Sequence, residues 1–270
     1  MTTFREEIAG AAASLAEVGC ESPRLDAELL LAHVLGTDRA GLVIRGEEEA
    51  GPDDRTRYLA LLTRRAKREP IAYILGRRAF RHLSLVVDPR VLIPRPETEL
   101  LVEVGLELPE GRRVADVGTG SGAVALALKH ERPDLHMIGV DVSPGALSVA
   151  RMNRRRLRLD IALVEGELLD GVECDAVLAN LPYVAEDELL PPEVALYEPR
   201  LALLGGHDGL DVVRRLIEQT ADRPQIGLVA LEIGHSQAAA TAALLEEAGF
   251  TAVERRRDLA GHDRVVVGHR

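Results

Sequence analysis

The sequence predicts an α/β protein. It should contain a doubly wound parallel sheet that ends in an antiparallel hairpin, preceded by a small helical domain. Three observations carry this. From Arg112 onward, short apolar strands alternate with helical segments, the pattern of a parallel sheet covered on both faces. A glycine-rich turn, "DVGTGSG", lies between the first such strand and its helix. Before that region, some 70 residues carry helical spacing without a strand signal.

The helical part reads in order. "TTFREEIAGAAASLAEVG" is Ala- and Leu-rich and stops at Gly19, a residue suited to a C-terminal cap. "SPRLDAELLLAHVLG" opens with Ser22 as N-cap and Pro23 in the first turn, and Leu25, Leu29, Ala32 and Leu35 recur at helical spacing. "GPDDRTRYLALLTRRAKREP" gives another helix, ending before Pro70. Then "IAYILGRRAFRHLSLVVDPRVLIPRP" turns β-rich, with Gly76 at a turn, "HLSLVV" as a strand, and Pro89, Pro94 and Pro96 as punctuation. The expected domains are therefore 1–72 (helical), 73–96 (a β-hairpin linker) and 97–270 (the sheet).

The third region begins with a helix, "ETELLVEVGLEL", whose first turn carries Glu97 and Glu99 at the positive end of its dipole. Strand "RRVADVG" precedes helix "GAVALALKHER", and strand "HMIGVDV" precedes helix "PGALSVARMNRRR". Strands "IALVEG" and "DAVLAN" follow. After a long loop come helix "GLDVVRRLIEQTA", strand "IGLVALEIG", helix "SQAAATAALLEEAG" and two final strands. The last two are joined by "DLAGHD", which suggests a hairpin at the sheet edge.

Composition narrows the function. The chain has 270 residues, 46% of them hydrophobic, enough for a real core. No run approaches the roughly 20 apolar residues of a membrane helix, and "MTTFREEIAG" lacks a secretory pattern, so the expected location is cytoplasmic. The net charge of −11 argues against bulk nucleic-acid binding, which needs many Lys and Arg contacts. Cys20 and Cys174 form no CxxC pair, and no HExxH occurs, so no metal is expected.

The turn after the first sheet strand is a ligand site in such folds. Gly118, Gly120 and Gly122, with Thr119 and Ser121 between them, let the backbone turn sharply and let a ligand approach. Asp141 closes the second strand 21 residues after Gly120, where a carboxylate can accept from both ribose hydroxyls. A nicotinamide dinucleotide and S-adenosylmethionine (SAM) both fit this much. Three details favour SAM. Asp116 at the strand end can hold a ligand ammonium through a network. No phosphate-binding group is evident. A final antiparallel hairpin is the usual ending of a SAM-dependent sheet. After the third strand, Glu167 can accept from the adenine amine and Leu168 can pack on its face.

The fourth strand ends in "NLPY". A planar nitrogen is a poor nucleophile because its lone pair is delocalised. Acceptors that take both N–H bonds hold it and favour pyramidal geometry. Asn180 offers its side-chain oxygen, and Leu181 offers a carbonyl that Pro182 keeps out of a ladder. The Tyr183 ring can stack on the flat group. Asn180, Pro182 and Tyr183 are the candidate catalytic residues, with Leu181 completing the substrate contacts. An RNA adenine N-methyltransferase is the alternative reading. A nicotinamide-dependent oxidoreductase is weaker, since no Tyr–Lys or His–Asp pair has useful spacing.

Taken together, "REPIAYILGRRAF", "VLIPRPETELLVE", "DVGTGSGAVALAL", "NLPY" and "YEPRLALLGGHDGL" resemble the peptide-chain release factor glutamine methyltransferase family over nearly the whole chain. The resemblance implies a Rossmann-like methyltransferase sheet. It implies methyl transfer from SAM to the glutamine side chain of the Gly-Gly-Gln loop in class 1 release factors. A monomer with no direct nucleic-acid partner is expected. By position, Gly118 to Gly122, Asp141 and Leu168 bind SAM. Asn180 contacts both SAM and the glutamine, and Leu181, Pro182 and Tyr183 line the substrate pocket. Arg95 to Thr98 of "IPRPETE" lie near the cleft mouth without a catalytic role. The helical domain is the expected platform for the protein substrate. The family usually has Pro where this chain has Leu181. Because the role there belongs to a carbonyl, Leu is compatible with it.

Overall fold

A computed structural model describes residues 2–270. The chain forms two compact units. The first runs to Gly76 and includes Pro191–Tyr197; the second comprises Arg77–Leu190 and Glu198–Arg270.

In the first unit, α1 (Phe4–Glu17), α2 (Pro23–Leu35), α3 (Arg39–Ile44), α4 (Pro52–Ala66) and α5 (Ile71–Leu75) follow one another. Thr3 and Glu6 form a reciprocal capping box that starts α1. Phe4, Ile8, Leu30, Leu31 and Tyr58 fill the core, and the Tyr58 hydroxyl donates to the Ala27 carbonyl at 3.1 Å. Three expectations change here. The buried apolar residues of α2 are Ala27, Leu30, Leu31 and Ala32; of the expected stripe Ala32 is buried and Leu35 packs partly buried against the core, while Leu25 is 39% exposed. Ser22 stands at the N-cap position, but its side chain makes no cap hydrogen bond. Residues 71–75, read as β-rich, form a short helix that follows Pro70 and stops at Gly76 in the left-handed conformation. Burial of Ala72, Tyr73 and Ile74 outweighs their local strand preference.

The buried face of α2 also carries Asp26, which accepts from Arg65 Nε of α4 at 2.7 Å. Arg65 and Arg68 both hold Glu193 of the short helix Pro192–Tyr197, Arg68 with contacts of 2.7 and 2.6 Å. The Tyr197 hydroxyl donates to the Lys67 carbonyl at 2.7 Å. These bonds explain why seven residues from the loop after the fourth sheet strand group with the helices, which hydropathy does not reveal.

The second unit opens with the antiparallel hairpin β1 (Arg77–Phe80) and β2 (Leu83–Val86). Then come α6 (Glu99–Leu106), β3 (Arg113–Val117), α7 (Ala123–Glu131), β4 (His136–Asp141), α8 (Pro144–Leu157), β5 (Ala162–Glu165) and β6 (Ala176–Asn180). With Pro192–Tyr197 counted as α9, the rest are α10 (Asp211–Ala221), β7 (Leu228–Glu232), α11 (Ala238–Glu247), β8 (Ala252–Arg257) and β9 (Asp263–His269). The sheet order is β5-β4-β3-β6-β7-β9-β8. β9 lies between β7 and β8, antiparallel to both, so the final hairpin is inserted by its second strand.

Alternate residues of each strand enter different cores. Val114, Leu178 and Val265 pack on one face of the sheet, and Ala115, Val177 and Val266 on the other. Both faces are dry, as a parallel sheet covered by helices requires. Strand order reverses between β3 and β6. The carboxyl ends of those two strands therefore flank the crevice where ligands bind in such sheets.

Candidate active site

The cleft at that crevice has a volume of about 260 Å³. Gly118 to Ser121, Asp141, Leu168 and the segment Asn180–Pro182 all line it, so most of the residues singled out from sequence meet in one place.

The glycine turn is shaped by its neighbours. Gly118 has φ +74°, and a Cβ there would sit 3.3 Å from both the Asn180 carbonyl oxygen and Leu181 Cδ2. Only glycine lets the β3 turn lie this close to the end of β6. Asp116 is buried and braces the turn: its Oδ2 accepts from Thr119 Oγ1 at 2.6 Å and from the Ala125 amide at 3.0 Å. Burial pushes its carboxyl up to about 6 against those two bonds. Its carboxylate thus holds the first turn of α7, a bracing role that sequence reasoning did not assign to it.

Asp141 ends β4 with both oxygens facing backbone amides. Oδ2 accepts from Gly120 N at 2.9 Å and Oδ1 from Ser143 N at 2.9 Å. Those bonds fix the carboxylate plane and leave lone pairs for further donors. Burial raises its pKa despite the two amides. Beyond β5, Leu168 is buried at φ +53°, unusual for a residue with a Cβ and a mark of local strain at the cleft wall. Glu167 is exposed and paired with Arg215 at 2.5 Å.

Asn180 sits at the tip of β6, in register with Glu232 at the tip of β7. Its Nδ2 donates to Thr98 Oγ1 at 3.0 Å. Among the described residues, no donor reaches Asn180 Oδ1 or the Leu181 carbonyl. The Leu181 side chain is buried, with its Cδ2 against Gly118. Tyr183 is not among the cleft-lining residues. Its ring passes beside Gly234, and its hydroxyl meets Glu232 Oε1 at 3.4 Å. Burial raises its pKa, with the Glu232 carboxylate adding to the effect, so the phenol stays a donor.

Sequence reasoning missed Thr98 as a contact of Asn180 and missed Glu232 altogether. Glu232 carried a readable signal: a lone carboxylate closing an otherwise apolar strand at the same rim as Asp116, Asp141 and Asn180. The structure also joins two motifs noticed separately. Glu198 of "YEP" is buried; its carboxylate accepts from the Ile93 amide at 3.1 Å and pairs with Arg95 of "IPRP". Glu198→Ala should strand these donors and cost about 3 kcal/mol, read as a lower midpoint in urea unfolding. The following loop explains "GGHDG". A Cβ on Gly209, at φ +76°, would lie 2.2 Å from the Tyr183 carbonyl oxygen, so this loop can lie against the backbone after β6 only as glycine.

Known proteins carry the same plan. Residues 6–76 match the PrmC N-terminal domain, and residues 96–191 the methyltransferase small domain. The chain is 42% identical over 99% of its length to the release factor glutamine methyltransferase of Deinococcus radiodurans, covering 98% of that protein. It is 43% identical over 95% of its length to that of Burkholderia pseudomallei, covering 96% of it. Among solved structures, a methyltransferase from Pyrococcus furiosus is similar at TM-score 0.53 and 19% identity, over 79% of this chain and 98% of that one, a likeness of fold alone. Full-length identity at this level places the chain in the release factor glutamine methyltransferase family.

Proposed function

We propose that this protein transfers a methyl group from SAM to the side-chain amide nitrogen of the glutamine in the Gly-Gly-Gln motif of class 1 release factors. The observation that carries this is the pair of unclaimed acceptors at the tip of β6, Asn180 Oδ1 and the Leu181 carbonyl, on the wall of a cleft that also holds Asp141. A primary amide nitrogen carries two N–H bonds in one plane. Two fixed acceptors hold both, orient the nitrogen and compensate the loss of its conjugation. RNA adenine methylation would use the same acceptors, and the identity of residue 181 does not separate the two because only its carbonyl is used.

The cleft suits SAM better than a dinucleotide. The Ala125 amide in the first turn of α7, a donor of the kind a pyrophosphate uses, already binds Asp116. The two cationic side chains lining the cleft are committed as well, Arg90 to Asp88 and Arg215 to Glu167. What remains is a carboxylate-lined cleft, which attracts a cationic ligand. Asp141 would hold the ribose, Leu168 and Glu167 the adenine, and Gly118 to Gly122 the chain toward the sulfonium. When bound, SAM supplies an electrophilic methyl carbon. The protein's part is to orient the amide and exclude competing acceptors. The extra proton on a methylated amide nitrogen is acidic enough to leave without a dedicated base.

The helical unit is proposed as the platform for the release factor. Among the described residues no helix is long and apolar enough to cross a membrane. We place the enzyme in the cytoplasm as a monomer that does not bind nucleic acid directly. Incubation with labelled SAM and a purified release factor tests the proposal. The label should enter the release factor and vanish when its Gly-Gly-Gln glutamine becomes Ala. Label entering RNA but not the release factor would overturn it.

A further inference from the structure

Glu198 is buried at 5% exposure, in the short link between Tyr197 and Pro199 that belongs to no helix or strand. Its carboxylate spans 105 residues of chain to take the Ile93 amide on Oε2 at 3.1 Å, and its Oε1 accepts from the Arg95 guanidinium. Those two donors flank Pro94, which has no N–H of its own. The Pro94 carbonyl accepts from Arg78 Nε of β1 at 3.2 Å. Three consecutive residues are thus held by directed bonds. Pro94 and Pro199 both line the cleft, so one carboxylate ties two parts of its wall together.

The bonds run on from Arg95 to the acceptor at the tip of β6. The Thr98 amide donates to the Arg95 carbonyl at 3.2 Å and closes the short turn Pro96–Thr98. Thr98 is buried, and its Oγ1 accepts from Asn180 Nδ2 at 3.0 Å. A side-chain amide carries its oxygen and its NH₂ on opposite sides of one carbon. Holding Nδ2 at Thr98 therefore turns Oδ1 the other way. Every link from the Glu198 carboxylate to Asn180 is a hydrogen bond or a few residues of pinned backbone.

We propose that Glu198 is a positioning residue for methyl transfer: through Arg95, the turn Pro96–Thr98 and Thr98 Oγ1 it fixes the Asn180 amide with its oxygen toward the substrate nitrogen. This rests on the reading of Asn180 as the acceptor for the substrate N–H. It gives "IPRPETE" and "YEP" one shared task, although neither Glu198 nor Arg95 touches the reacting atoms.

A carboxylate suits this task better than an apolar side chain. Apolar packing is non-directional and lets a segment slide. Charge-assisted bonds on both oxygens fix direction as well as distance. An apolar residue at 198 would also leave the buried Ile93 amide without an acceptor. Groups that orient a reacting atom must be held to about 0.5 Å, and a displacement of about 1 Å costs about a hundredfold in rate. A carboxylate that only held the fold together would behave differently: its loss would lower the unfolding midpoint and leave the kcat of the folded enzyme unchanged.

Glu198→Gln keeps the shape but turns an N–H toward one of the two donors. Measured well below the unfolding midpoint, kcat should fall by about tenfold to a hundredfold, while SAM affinity by calorimetry stays within about threefold. Arg95→Ala should show a similar loss and Arg95→Lys should restore most of it, a pair that carries the test if Glu198→Gln does not fold. Thr98→Val breaks the same path at its far end, so its loss and that of Glu198→Gln should not multiply in the double variant. Independently of turnover, the Asn180 side-chain NH₂ resonances in NMR should shift in Glu198→Gln and in Arg95→Ala. Wild-type kcat in both variants, losses that multiply, or unmoved Asn180 resonances would overturn the proposal. Asn180→Ala run in parallel separates the two readings. If it is active, the acceptor role itself is wrong; if it is inactive while Glu198→Gln and Arg95→Ala are normal, only the positioning is wrong.

Discussion

Asn180→Ala is expected to lower kcat by about a hundredfold to a thousandfold, while the dissociation constant for SAM changes only a few-fold. The Asn180 amide spends one donor on Thr98 and keeps Oδ1 free at the tip of β6. Removing it takes away one of two fixed acceptors and leaves the nitrogen free to rotate out of line. The loss should fall on kcat, because the acceptors matter most as the nitrogen gives up its conjugation. Part of the cost will be structural, since Thr98 also loses its partner. Single-turnover kinetics with a release factor would check the prediction. Wild-type turnover would remove Asn180 from the chemistry.

Asp141→Ala should act on the other quantity. Its carboxylate is oriented by Gly120 N and Ser143 N at 2.9 Å each, with lone pairs left for two more donors. A hydrogen bond to a charged group contributes about 1.5–3 kcal/mol, so losing one weakens SAM by roughly tenfold to a hundredfold and losing two by more. Calorimetry should report that weakening, while kcat at saturating SAM falls much less. Asp141→Asn should be intermediate, since its oxygen can still accept from one hydroxyl but its NH₂ opposes one backbone amide. An unchanged affinity in Asp141→Ala would move the ribose elsewhere.

What could be read from the sequence was whatever depends on local pattern. Apolar strands alternating with helices fix the sheet, and glycines placed between a strand and a helix fix the turn. Asp141 and Asn180 were legible because a polar residue closing an apolar strand lands at the ligand rim by topology alone. What could not be read depends on register and on distant pairing. Thr98 meets Asn180 across 82 residues, and Tyr183 meets Glu232 across 49. Neither pairing has a periodicity. Glu232 closes the apolar strand "LVALE" as Asp141 and Asn180 close theirs, so its place at the rim was legible while its partner Tyr183 was not. The stripe of α2 was partly misplaced because it is Leu-rich on several faces, so spacing alone does not choose one. Asp26 chose it, through a buried bond to Arg65 that lies 39 residues away. The segment Ile71–Leu75 read as β-rich because its Ile and Tyr prefer strands, yet a proline before it and a left-handed glycine after it close a single helical turn.

The central claim is that a flat amide NH₂ is gripped by Asn180 Oδ1 and the Leu181 carbonyl beside the donor. The most direct measurement is a crystal structure with S-adenosylhomocysteine and a release factor domain carrying its Gly-Gly-Gln loop. The glutamine nitrogen should lie within hydrogen-bond distance of both oxygens, with the sulfur on the open side of that nitrogen. A glutamine seated away from the tip of β6, or one whose carbonyl rather than its NH₂ meets Asn180, would contradict it.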